Sequence, residues 1–174
     1  HSVAMHHDAD EAVVLVEAQL QHRQAGLHGN GQRDAIGDDE ALRAAGVEPL
    51  PSWRFYGDYH ESTGRRGALQ LWKAQPRPTA IFCCTDYIAL GALKALQEIG
   101  VRVPDDVSLI GFDDIEAVRH TTPGLATVQQ PLTDLGRMAA EILIDQVETG
   151  KREARRVIFP TALIQRESVA HLKT

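Results

Sequence analysis

Residues 100–114 read Gly100-Val-Arg-Val-Pro-Asp-Asp-Val-Ser-Leu-Ile-Gly-Phe-Asp-Asp114, and they follow Thr79-Ala-Ile-Phe-Cys-Cys84 at a distance of one helix-patterned stretch. Thr79 to Cys84 and Val107 to Phe112 are short, nearly unbroken apolar runs without alternation, the pattern of strands buried on both faces. Between them Ile88, Leu90, Leu93 and Leu96 recur at helical spacing from Tyr87 to Ile99, and Gly100 stands where such a helix stops. Strand, helix and strand in that order imply a parallel pair joined by a crossover helix.

Working outward, the same alternation continues. Toward the N-terminus, Asp10 to Arg23 is predicted as a helix from the spacing of Val13, Val14, Val16 and Leu20. Gln24 to Asn30 is a thin strand candidate among Gly26, Gly29 and Gly31. Ala35 to Ala45 reads as a helix ended by Gly46. Ser52 to Tyr56, with Trp53, Phe55 and Tyr56, has a strand composition, and Glu61 to Ala74 is a helix broken by Pro76 and Pro78. Toward the C-terminus, Ile115 to Arg119 fits one helical turn, and Pro131 to Val147 a long helix with Gly150 beyond it. Val157 to Phe159 and Ala162 to Gln165 fit short strands around Pro160. Only His120-Thr-Thr-Pro-Gly124 fills the place of a crossover helix after Asp114, so the chain is expected to leave one sheet there and join another. The fold class is α/β, a parallel sheet with helices on both faces.

The 174 residues carry 18 Lys and Arg against 24 Asp and Glu, a net charge of −6, and no basic run longer than a pair such as Arg155-Arg156. Phosphate contacts supply most nucleic-acid affinity, so any DNA-reading part is expected outside this chain. The longest apolar runs are far shorter than the ~20 residues of a membrane-spanning helix, and no membrane partner is expected. Two adjacent cysteines, Cys83 and Cys84, exclude a disulfide framework and a four-cysteine zinc site; inside an apolar strand they read as packing. His6-His7, His22, His28 and His60 lack ligand spacing, so no metal is expected. Gly26-Leu-His-Gly29-Asn-Gly31 matches neither a dinucleotide nor a phosphate-loop pattern and reads as a turn. No nucleophile sits in an elbow context; no catalytic residue and no cofactor are assigned, and the chain is read as not an enzyme. It opens on His1 rather than Met, which marks it as processed or as a piece of something longer.

Ligands of parallel α/β sheets bind beyond the carboxyl ends of the strands. The residues there are Gly57-Asp58-Tyr59, Thr85-Asp86 and Asp113-Asp114. A carboxylate accepts two hydrogen bonds from vicinal hydroxyls and an aromatic face stacks on a pyranose, so the set suits a polyol or sugar. Each residue also has a plain structural role available: Asp86, Asp113 and Asp114 as helix caps, Tyr59 as a loop aromatic.

Pro78-Thr-Ala-Ile-Phe-Cys-Cys-Thr-Asp86, Gly91-Ala92-Leu93, residues 100–114, Thr122-Pro-Gly-Leu-Ala-Thr-Val-Gln-Gln-Pro131, Leu135-Gly136 and Leu163-Ile-Gln-Arg-Glu-Ser168 together resemble the LacI/GalR family of bacterial transcription regulators, from about Gly46 to Ser168. The resemblance implies a periplasmic-binding-protein-like pair of α/β subdomains around an effector cleft, with a helix-turn-helix headpiece reading the operator. It places residues 1–130 in the C-terminal subdomain, 131–159 in a segment returning to the largely absent N-terminal subdomain, and 160–174 in a C-terminal strand and tail. The headpiece lies outside the chain. Asp113 falls at the sugar-binding aspartate, Tyr59 at an aromatic against the ligand, and Thr85 where many members carry Asn. Gln130 and Leu132 fall on the crossover facing the cleft, and Arg33 falls one residue from a ligand arginine. The chain departs from the family at Leu20-Gln-His-Arg23, where Leu-Gly-His-Arg is usual. The implied function is sensing of a sugar or related small effector, in a cytoplasmic homodimer. Tyr87–Ile99 is a candidate dimer helix. The alternative is a periplasmic sugar-binding protein of a transport system.

Overall fold

Val13-Val-Leu-Val-Glu-Ala18 forms a strand, β1, and not the helix expected over Asp10 to Arg23. Three valines in four positions are stiff at χ1 and favour extended backbone, and so short a run holds too few turns for helical periodicity to arbitrate. The computed structural model describes residues 13–18, 41–44, 46–150 and 156–170. The thin strand at Gln24 to Asn30 and most of the helix at Ala35 to Ala45 lie outside the described residues.

β1 hydrogen-bonds in parallel to β2 (Arg54–Gly57) on one side and β3 (Ala80–Cys83) on the other. β4 (Ser108–Asp113), β5 (Ala126–Gln129) and β6 (Ala162–Ile164) complete a six-stranded sheet of order β2-β1-β3-β4-β5-β6. All neighbours are parallel except β5 and β6. β5 was not foreseen: four residues between Gly124 and Pro131 are too few for a pattern to show, yet Ala126, Thr127 and Val128 are buried. The chain therefore stays in one sheet through β5 and re-enters it at β6. Residues 157–159 are irregular rather than a strand.

Helix α1 (Glu61–Leu71) and helix α2 (Asp86–Glu98) cover one sheet face. Their axes approach closely because Gly64 and Gly91 have no side chain. A Cβ on Gly64 would strike the carbonyl of Ile88, and one on Gly91 the carbonyl of Glu61. Beneath them Leu71, Ile81, Ile88, Leu96 and Leu109 are fully buried, each contributing roughly 1.5–3 kcal/mol of apolar transfer. The stripe suggested as a dimer face divides: Leu93 and Leu96 belong to this core, Leu90 packs at its margin, and Ile99 is exposed. On β4, Leu109 joins the large core and Ile110 the opposite face, with Ala126 and Val128, as strand alternation requires.

Helix α3 (Leu132–Thr149) is different. It contains no buried residue, and Leu143, Ile144 and Val147 are exposed. Gly150, in the left-handed conformation at φ 68°, ends it.

Candidate functional site

Because β1 to β5 run in parallel, their carboxyl ends open on one side. Thr85 follows β3, Asp113 ends β4 and Gln130 follows β5, three consecutive strands at about 4.8 Å per strand. Tyr59 follows edge strand β2, about 10 Å further from Thr85 by the same spacing. Arg33 lies outside the described residues.

Asp113 and Gln130 meet directly: Gln130 Nε2 donates to Asp113 Oδ1 at 2.8 Å. Among the described residues, Oδ2 of Asp113 accepts no hydrogen bond, and the side chain is only partly buried. Burial pushes its carboxyl above the ordinary range, and the Gln130 amide opposes the shift. The residue is also strained, with φ 116°, a conformation that persists where function or surroundings demand it.

Asp86 and Asp114 use their oxygens otherwise. The cap of α2 is Thr85, whose Oγ1 accepts from Ile88 N at 3.3 Å, and not Asp86 as expected. Asp86 is fully buried, accepting from Thr127 Oγ1 at 2.7 Å and from Ile115 N at 2.8 Å. Burial raises its pKa against those two bonds, and the charges of Asp113 and Asp114 raise it further. Gly111 makes the room: a Cβ there would collide with Asp86 Oδ1.

Asp114 does not cap the next turn either. Its Oδ1 accepts from Arg166 Nη2 at 2.6 Å, and its Oδ2 from Arg119 Nη2 and Gln129 Nε2, each at 2.8 Å. Its side chain is 3% exposed. Burial pushes this carboxyl up, but the hydrogen bonds and charges of Arg166 and Arg119 together hold it below its usual value. Thr127 and Gln129, two apart on β5, share a face and serve Asp86 and Asp114 in turn.

Tyr59 stands 38% exposed in a braced loop. Asp58 N donates to Thr63 Oγ1 at 3.1 Å, and His60 N to Asp58 Oδ1 at 3.3 Å. The Thr63 hydroxyl above all holds the Asp58 carboxyl below its ordinary value. Tyr56 in β2 and Tyr87 in the first turn of α2 are exposed too. Leu132 is 56% exposed in the first turn of α3, its N–H donating to the carbonyl of Gln130 at 2.9 Å.

Sequence reasoning missed Thr127, Gln129, Arg119 and Arg166. Arg166 offered a signal: a lone arginine directly after an apolar strand near the C-terminus. Among the described residues no cluster of His, Cys, Asp and Glu is arranged to hold a metal, and no helix is long and apolar enough to cross a membrane. The half-free Asp113 carboxylate, with exposed aromatics on the same side of the sheet, can accept hydrogen bonds from a neutral, hydroxyl-bearing ligand that packs against those rings.

Residues 18–169 match the periplasmic binding protein-like domain. The chain is 40% identical over 132 residues to the HTH-type transcriptional repressor PurR of Erwinia tasmaniensis, a match covering 75% of this chain and 38% of the repressor. Among solved structures it resembles the transcriptional regulator CelR in complex with cellobiose, with TM-score 0.78 and 31% identity over 91% of this chain and 46% of that one. It also resembles a LacI-type transcription regulator from Bifidobacterium animalis, with TM-score 0.77 and 29% identity over 90% of this chain and 58% of that one. The chain thus spans less than half the length of the PurR repressor it matches.

Proposed function

The chain belongs to the periplasmic-binding-protein-like domain family, in the form carried by LacI/GalR regulators, and we propose that it senses a small effector for such a regulator. Asp113 carries the reading. Of the three aspartates that follow or end β3 and β4, it is the one with an oxygen free among the described residues, and it sits in strained backbone beside the crossover. Thr85, Gln130, Leu132 and Tyr59 complete the proposed contacts, with Arg33 from the N-terminal part. Cellobiose in the CelR complex supports a sugar or related polyol as the ligand class.

Residues 131–159 are proposed to pack on an N-terminal subdomain outside this chain; the wholly unburied α3 supports this. Effector binding would then favour one arrangement of the subdomains, and through a helix-turn-helix headpiece change operator affinity in a cytoplasmic homodimer. The ligand must bind one arrangement better than the other for this to work. The named relatives are regulators rather than enzymes or transport proteins, which favours sensing over transport.

Calorimetric titration with a panel of neutral sugars, cellobiose included, tests the reading. Asp113→Ala should weaken the best ligand about 10- to 100-fold, the loss of a charge-assisted bond. Equal affinity in the variant would remove Asp113 from the site.

A further inference from the structure

We propose that Arg166 is a positioning residue of the ligand site: clamping Asp114 from the C-terminal segment, it holds the turn that aims the Asp113 carboxylate. The proposal rests on the reading of Asp113 as a ligand group.

Two consecutive residues that are not glycine, Asp113 at φ 116° and Asp114 at φ 57°, occupy positive φ. Asp visits the left-handed region more readily than most residues, but φ 116° lies outside that basin, and strained turns persist only when their surroundings over-determine them. Asp113 itself is tied by one side-chain bond, to Gln130. On its N-terminal side it is held by the β4–β5 pairing with Gln129; beyond the strand the restraint comes through Asp114, whose N–H reaches Thr127 Oγ1 at 3.4 Å and whose carboxylate takes three donors. Ile115 N is tied next to it by Asp86.

Arg166 is the best anchored of those donors. Its side chain is 16% exposed against 51% for Arg119. Its Nη1 donates to the carbonyl of Leu125 at 2.6 Å while Nη2 holds Asp114. Carrying the β5–β6 register two pairs past Thr127↔Ile164 sets Arg166 opposite Leu125. Two residues on, Ser168 is fully buried, its Oγ donating to the Leu109 carbonyl at 2.6 Å and accepting from Ala126 N at 2.8 Å. The guanidinium is thus fixed at both ends: to the sheet by its own segment and to the turn by Asp114.

The test is the carboxyl titration of Asp113, followed by carbon NMR on the 174-residue chain, together with the side-chain amide signals of Gln130. The charged groups near Asp113 are the carboxylates of Asp86 and Asp114 and, across Asp114, the guanidiniums of Arg119 and Arg166. In Arg166→Gln the Gln130 amide signals should move to solvent-exposed values, and the Asp113 midpoint should depart from that of the parent. Arg166→Lys, which keeps the charge and one donor, should recover part of both. A folded Arg166→Gln chain with both readouts as in the parent overturns the proposal, because a merely structural arginine would lower the melting temperature and leave them in place. If Arg166→Gln does not fold, Arg166→Gln with Asp114→Asn removes the unpaired buried charge. A moved Gln130 signal in that double variant sustains the clamp, and an unmoved one overturns it. No ligand enters this experiment, so it succeeds or fails separately from the sugar titration.

Discussion

Helices α2 and α3 are both amphipathic in sequence, yet they meet opposite fates. α2 buries Ile88, Ala89, Ala92, Leu93, Ala95 and Leu96 against the sheet and against α1. α3 has Leu132, Leu135, Leu143, Ile144 and Val147 at 40% exposure or more and buries nothing. An apolar stripe says that a helix needs a cover; it does not say which surface supplies it. α2 finds its cover within βαβ distance in the chain, whereas α3 has none among the described residues.

The largest effect expected from this contrast is in α2. Leu96→Ala should cost about 2–5 kcal/mol in urea unfolding, the range for a deleted core leucine, whereas Leu143→Ser in α3 should stay within about 0.5 kcal/mol. Equal costs would mean that α3 is covered in solution. Asp114→Ala comes next, at about 3 kcal/mol, since it strands the poorly exposed Arg166 without its partner. A smaller effect concerns association. The bare α3 face should make the chain self-associate at high concentration in sedimentation, and Leu143→Ser with Val147→Ser should reduce it; a monomeric parent chain would break the contrast at its root.

The smallest effect is in acid, and its sign follows from the two neighbouring carboxylates. Asp113 is raised and Asp114 lowered. On acidification Asp113 protonates first, above 3.8, so sugar affinity should fall there. The stability from Asp114 is fully present above its unfolded value and is lost only as pH falls through its lower folded value. Asp86, being raised, works in the opposite sense: its protonation relieves a buried charge. Near-UV circular dichroism should therefore outlast ligand affinity as pH drops, and simultaneous loss would argue against separate roles for Asp113 and Asp114.

The sequence displayed much of this. Thr79 to Cys84, Tyr87 to Ile99 and Val107 to Phe112 lie within a residue or two of β3, α2 and β4, because long periodic and short apolar runs carry their own signature. Val13 to Ala18 was misread because three valines satisfy helical and extended patterns alike over so few positions. β5 escaped because its identity lies in its neighbours, β4 and β6, rather than in its four residues. At the ends of β3 and β4 the sequence pointed to Asp86, Asp113 and Asp114, but not to which of them had oxygens to spare. That depends on Thr127, Gln129, Arg119 and Arg166, the last of them 52 residues from Asp114 in the chain.

Gly111 and Asp86 fit together so tightly that a Cβ at one position would occupy the place of the other's carboxylate oxygen. This imposes an order on mutational history. Alanine at 111 is closed to any descendant that still carries Asp86, whereas a descendant that first shortens residue 86 opens the path. Substitutions at the two positions should therefore appear in relatives as a sequence of steps with one permitted direction, and a reconstructed ancestor with alanine at 111 should lack the aspartate at 86.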